Sequence, residues 1–185
     1  MINDVLNEAD QKMAKSVEAT REEFAAIRAG RAHPSMFSKI VVDYYGTPTP
    51  IQQLASFSSQ DARTILISPY DMGAMSNLEK AIRDSDLGVN PANDGKVLRC
   101  GFPELTEERR KEYIKLAKGK AEDGRVSVRN VRRTAKQQLE KLEKDGEVGK
   151  DDVAGAEKRL DAMTKTHTDQ IDEMLKKKEA ELLEV

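Results

Sequence analysis

Residues 106–144 read TEERRKEYIKLAKGKAEDGRVSVRNVRRTAKQQLEKLEK, and this stretch decides the fold. Apolar or small residues recur at Tyr113, Ala117, Ala121, Gly124, Val128, Val131, Ala135, Leu139 and Leu142, the three-four spacing of one side of an α-helix. Thr106 predicts the N-cap, and Glu107 and Glu108 fall in the first turn, beside the positive end of the helix dipole. Asp145-Gly146 and Gly149 end the pattern, so the helix runs to Lys144, about 58 Å at ~1.5 Å per residue. A helix this long with so narrow a stripe must bury its seam against other helices.

Working outward, two more stripes supply the partners. Residues 3–29 place Leu6, Ala9, Met13, Val17, Thr20, Phe24 and Ile27 on one face, with Gly30 as a stop and Pro34 just beyond. After the Gly149 break, Val153, Ala156, Leu160, Met163, His167, Ile171 and Met174 continue toward Leu182. Between the first two helices the texture changes. All 6 prolines lie in residues 31–104, with two β-branched runs at Ile40–Tyr45 and Thr64–Ser68 that read as strands. Gly46-Thr47-Pro48-Thr49-Pro50 reads as a turn and an edge connection, because prolines forgo ladder hydrogen bonds. Met75, Leu78 and Ile82 predict a short helix ending near Gly88, and Asn93-Asp94-Gly95 a hairpin turn before Val97–Phe102. The fold class is therefore α+β: an antiparallel three-helix bundle, residues 1–30 plus 105–185, interrupted by a small mixed α/β domain of β/α/β sandwich type, residues 31–104. Two short connections, near 30–31 and 102–105, predict a hinge at Gly30, Arg31, Pro103, Glu104 and Leu105.

Composition agrees with long solvated helices. Among 185 residues, 35% are charged and 38% hydrophobic, with no tryptophan. The single cysteine, Cys100, excludes an intramolecular disulfide and a cysteine-built zinc site, and it fits a reducing, cytoplasmic setting. Apolar runs fall far short of the ~20 residues of a membrane span, and the N-terminus has no leader-like pattern, so a membrane partner is not expected.

The net charge of −2 is a cancellation. Residues 106–135 hold ten basic and five acidic side chains, whereas residues 136–185 hold ten and fourteen. At ~100° per residue, Lys118, Arg125, Arg129, Arg132 and Lys136 fall within a wedge of about 60°, beside the apolar stripe. Helix surfaces ordinarily interleave both signs, since like charges at i, i+4 repel. A solvated surface is the plain alternative, but arginine grips phosphate bidentately, so the pattern points to RNA backbone with little sequence readout.

Catalytic chemistry has little support. No G-x-G-x-x-G or P-loop occurs, and no cofactor or metal is expected. His33 lies in a domain connection, His167 lies on an apolar stripe, and Asp151-Asp152 suits a helix start better than acid/base work. Of Tyr44 and Tyr45, one is expected to pack inward and one to be free for contact.

Ile27-Arg28-Ala29-Gly30-Arg31-Ala32-His33-Pro34, Val42–Pro50, Ser85-Asp86-Leu87-Gly88, Leu105–Arg110 and Val128-Arg129-Asn130-Val131-Arg132-Arg133 together resemble the bacterial ribosome recycling factor family, in order and over essentially the whole chain. The resemblance implies an L-shaped, monomeric translation factor without catalytic residues. It would bind large-subunit ribosomal RNA through its bundle and act with elongation factor G and GTP to split the subunits and free messenger RNA. Carried over by motif, it adds Arg28, Arg110 and Arg133 to the RNA-contact set. Thr134 departs from the acid expected there. The rival reading from the residues alone is a coiled-coil-like scaffold or holdase for protein partners; an enzyme built on His33 or His167 is more remote.

Overall fold

The computed structural model describes residues 1–28 and 30–184, and the chain divides into two compact units. The first holds residues 1–24 and 115–178, the greater part of α1 (Ile2–Ala26), α3 (Glu107–Lys144) and α4 (Lys150–Leu183), while residues 25–26, 107–114 and 179–183 of these helices belong to the second. Side-chain pairs give the direction of packing. Ser16 meets Ser127 and Lys120 meets Glu23, so α1 and α3 run antiparallel. Asn3 meets Arg159 and Asp10 meets His167, so α1 and α4 run parallel. This is the expected antiparallel three-helix bundle.

The helix ends follow local chemistry. Thr106 Oγ1 accepts from the Arg109 N–H at 3.1 Å, the N-cap bond anticipated above. At the other end Gly146 adopts φ 74, its N–H bonds to Glu143 O, and the Glu147 N–H bonds to Leu142 O. That pair of bonds is a Schellman motif, which needs a left-handed residue and so favours glycine. Helix α1 ends at Ala26 rather than Ala29; Ala29 itself lies outside the described residues.

Packing places small residues of α3 against larger ones. Ala117, Ala121, Gly124, Val128, Ala135 and Leu139 are buried on α3, facing a seam that includes Leu6, Met13, Phe24, Leu160 and Ile171. Gly124 marks the closest approach: a Cβ there would overlap Thr20 Oγ1 and lie 3.1 Å from Ile171 Cδ1. His167 is buried and hydrogen-bonds Asp10 through Nε2 at 2.8 Å, a structural use of the residue.

The second unit holds residues 25–114 and 179–185. Its β1 (Val41–Tyr44) and β2 (Thr47–Pro50) form a two-stranded sheet, and β3 (Ala55–Asp61), β4 (Thr64–Pro69), β6 (Leu98–Gly101) and β5 (Pro91–Asn93) form a four-stranded antiparallel sheet in that order. Helix α2 (Met75–Arg83) packs against β1 and β5. The core is continuous and includes Phe37, Val42, Ile51, Ile65, Ile67, Leu78, Ile82 and Leu98. Cys100 is fully buried in it, and burial pushes its thiol up to about 12, so it is inert.

Two readings of the insert are corrected, and one strand appears that the sequence pattern did not indicate. Thr47–Pro50 is a strand, paired with β1 from Val41↔Pro50 to Tyr44↔Thr47; its prolines are tolerated because it is an edge. Ala55–Asp61, with the polar sequence ASFSSQD, is also a strand: it ends the four-stranded sheet and needs burial on only part of one face. Helix α2 stops at Arg83, not near Gly88, because Ser85 Oγ donates to Ile82 O at 2.6 Å and competes with the helical ladder. His33 accepts from the Ser35 N–H through Nδ1 and caps a short 3-10 helix at Pro34–Phe37. Among the described residues, no helix is long and apolar enough to cross a membrane.

Gly124→Ala should lower stability by about 1–2 kcal/mol, because overpacking outweighs the ~1 kcal/mol gain in helix propensity. Gly119→Ala, where nothing lies within 4 Å of the new Cβ, should instead raise it by about 0.5–1 kcal/mol. Urea unfolding of the two variants reads the opposite signs. In the insert, the Asp71 carboxylate holds the Tyr44 and Tyr45 phenols above their ordinary value of 10.0. The stabilisation from these raised groups is complete below pH ~10 and is lost as pH rises through their folded values. Absorbance titration at 295 nm should therefore show two late-ionising tyrosines, which Asp71→Asn shifts downward.

Candidate nucleic-acid interface

The basic residues of α3 face an environment that their own segment does not contain. Arg125, only 20% exposed, donates through Nε to Asp172 on α4 at 2.6 Å and through Nη1 to Glu122 at 2.8 Å. These hydrogen bonds raise its pKa further. Arg132 donates through Nε to Asp161 on α4 at 2.7 Å. Both bridges are made from the side of the wedge nearest the seam, within reach of a neighbouring helix. Arg129 reaches Glu122 through Nη1 at 3.5 Å. Lys118, Arg133 and Lys136 are exposed and have no carboxylate partner among the described residues.

The face therefore contains two kinds of cation. Arg125 is a strut between α3 and α4, with two of its three nitrogens occupied. Arg132 is half a strut: Asp161 holds Nε and leaves both terminal nitrogens available, so its guanidinium is oriented while its fork stays open. Exposed Arg133 and Lys136 carry charge with no carboxylate partner among the described residues.

Arg28 and Arg110 do not join this face. Arg28 is 7% exposed, its guanidinium lies 5.5 Å over the Phe102 ring, and its Nε and Nη2 have no hydrogen-bond partner. Burial pulls its pKa below the ordinary arginine value and nearby Arg63 and Arg109 add to that, against an opposing contribution from Tyr113. Arg110 likewise buries an unpartnered Nε. Both are cations within the second unit, and the motif that suggested them carried no information on their burial.

The connections at the insert are tied to one turn. The Ala32 N–H bonds to Ala62 O at 2.8 Å and the Phe102 N–H to Arg63 O at 2.7 Å. Of the five residues expected to flex, Arg31, Pro103 and Glu104 are exposed and Leu105 is buried, and a Cβ on Gly30 would lie 2.8 Å from Glu184 O. Sequence reading missed the acids of α4 that neutralise part of the basic wedge. Asp161 and Asp172 lie on a different helix, and only the packing register brings them to α3.

Comparison with known proteins agrees across the chain. The family model described as ribosome recycling factor matches residues 20–183. The ribosome-recycling factor of a Nocardioides species is 80% identical over 185 residues, covering 100% of both chains. That of Kocuria rhizophila is 63% identical over 183 residues, covering 99% of each. A solution structure of a ribosome recycling factor superposes with a TM-score of 0.79 at 38% identity, over 100% of this chain and 98% of its own. The T. thermophilus ribosome recycling factor, bound with E. coli elongation factor G to the E. coli post-termination complex, superposes with a TM-score of 0.70 at 38% identity, over 100% of both chains.

Since Arg28 contributes packing but no ion pair among the described residues, Arg28→Met should fold with stability within about 1 kcal/mol of the parent or above it. Phe102→Ala should cost about 3–5 kcal/mol. A large loss of denaturant midpoint in Arg28→Met would contradict this account.

Proposed function

This chain belongs to the ribosome recycling factor family, and from that premise we propose that it binds the post-termination ribosome through the α3 face and, with elongation factor G and GTP, splits the subunits and releases messenger RNA. It is a translation factor and not an enzyme, acting in the cytoplasm as a monomer, and the energy comes from the GTP cycle of its partner. Family membership supports this reading over the scaffold or holdase alternative.

The observation that carries the RNA contact is the run of exposed Lys118, Arg129, Arg133 and Lys136 with half-buried Arg132, in which three members have no acidic partner among the described residues and Arg132 is held by one nitrogen only. Uncompensated cations along one helix face recruit phosphate and release counterions. The rigid bundle is the anchor in this reading. Flexure at Gly30, Arg31, Pro103, Glu104 and Leu105 lets the insert be pushed by the GTPase. Arg28 and Arg110 serve the contact set less directly, because a phosphate would have to reach nitrogens that are now covered.

Co-sedimentation with large subunits over a salt series tests the assignment. Arg132→Ala and Arg133→Ala should each weaken binding and flatten the log–log salt slope by roughly 0.7–0.9 per lost phosphate contact. Arg125→Ala should lower thermal stability while leaving the slope nearly unchanged. Equal slopes in all four proteins would overturn the RNA-anchor assignment.

A further inference from the structure

A groove of about 300 Å³ runs between α1 and α3, and the phosphate contact described above makes no use of it. Of its lining residues, Ala9 of α1 and Ala135 of α3 are buried and form the floor, with Val5 and Val131 half-buried beside them. Side chains no larger than a methyl group at positions 9 and 135 leave a recess where longer ones would interdigitate.

The walls are polar and in sum neutral. On α1, Glu8 and Lys12 close on each other at 2.9 Å, so neither presents an unpaired charge. On α3, Asn130, Thr134 and Gln138 stand four residues apart on one face, about 6 Å between successive members, and all three are exposed. Their hydrogen-bonding groups are uncommitted. The hydroxyls of Thr20, Thr164 and Thr166 each donate to a carbonyl one turn back in their own helix, whereas the side chains of Asn130, Thr134 and Gln138 make no such bond among the described residues. Ser127, also in this wall, is already engaged with Ser16 at 2.8 Å.

This chemistry selects the occupant. An apolar floor under a row of two carboxamides and a hydroxyl suits a flat, uncharged group with apolar faces and with donors and acceptors on its edge. A nucleobase has that form: asparagine and glutamine pair with base edges through two bonds at once, and unpaired RNA bases are splayed out and read in this way. A docking protein helix would need an apolar rim, and the groove offers it only two half-buried valines. The setting agrees. Asn130 lies about 60° round α3 from Arg133 and about 100° from Arg129, so a strand whose phosphates follow the basic face can turn a base toward the groove.

We propose that the α1–α3 groove takes one unpaired RNA base, its ring over Ala9 and Ala135 and its edge hydrogen-bonded by Asn130, Thr134 and Gln138. This rests on the ribosome binding proposed above, and it adds base recognition to a contact otherwise made with phosphate.

Two measurements on the full chain test it. In the first, the side-chain amide signals of Asn130 and Gln138 are followed by NMR as AMP, GMP, CMP or UMP is added at millimolar concentration, with ribose 5-phosphate as the control. At least one nucleotide should move these signals, and ribose 5-phosphate should not. In the second, the double variant Asn130→Ala, Gln138→Ala is co-sedimented with large subunits over a salt series. Its affinity should fall at least about tenfold with the salt slope of the parent, because no phosphate contact is lost, and its urea midpoint should not fall below the parent's. Signals that no nucleotide moves, or that ribose 5-phosphate moves equally, overturn the proposal. So does parent-like affinity in the double variant, or a slope flattened as expected for Arg132→Ala, which would make the row a phosphate contact. Lost affinity with unmoved signals overturns it in favour of a ribosomal protein as occupant. A parent chain that does not sediment with large subunits, while a nucleotide still moves the signals, overturns the underlying function and leaves the base site standing.

Discussion

The close approach of α1 and α4 to Gly124 on α3 is the constraint on which the bundle depends. Thr20 and Ile171 occupy the space a side chain would need at this position, so α3 can be set in only a narrow range of rotation about its own axis. Alanines at positions 117, 121 and 135 continue the same small-residue side. Close-packed helices do not rotate continuously, because interdigitated side chains resist displacement. The orientation of the basic residues is therefore a consequence of the seam. Shifting the stripe by one residue, about 100°, would carry Arg133 toward a neighbouring helix.

That fixed rotation sorts the arginines by distance from the seam. Arg125 and Arg132 lie close enough to meet Asp172 and Asp161, while Arg133 and Lys136 have no carboxylate partner among the described residues. Exposed ion pairs contribute little stability individually, so the value of the Arg132–Asp161 pair lies in orientation. A guanidinium already held by one nitrogen loses less rotamer freedom when its remaining donors engage phosphate. The acidic excess of residues 136–185 has a related role: two of its carboxylates restrain the cations nearest them and leave the outer cations uncompensated.

The bundle was legible because periodicity reports burial directly. Thr106, Gly146 and all three stripes follow from residue type and spacing alone. The insert was read less completely, since Ala55–Asp61 is polar and Thr47–Pro50 carries prolines, and both form strands only because a partner completes their hydrogen bonds. The basic wedge was also visible, yet its division into struts and free cations was not. A helix sequence does not report which acids a neighbouring helix will bring alongside. For the same reason a motif could nominate Arg28 without indicating that it is buried over Phe102.

Arg28 and Tyr45 illustrate opposite relations between burial and polar partnership. Arg28 is covered, and two of its nitrogens have no partner; the ring face of Phe102 gives it a cation–π contact, and the remaining desolvation cost is borne by the core around it. Tyr45, at φ 50 in the turn between β1 and β2, is exposed with its hydroxyl satisfied by Asp71. Packing stability accounts for the first arrangement, since an apolar stem and a stacked guanidinium fill space at the edge of the insert core. It does not account for the second. A hairpin turn of Asn-Gly would close β1 and β2 with less strain, so at Tyr45 a polar bond to Asp71, and not burial, holds the backbone in its left-handed conformation.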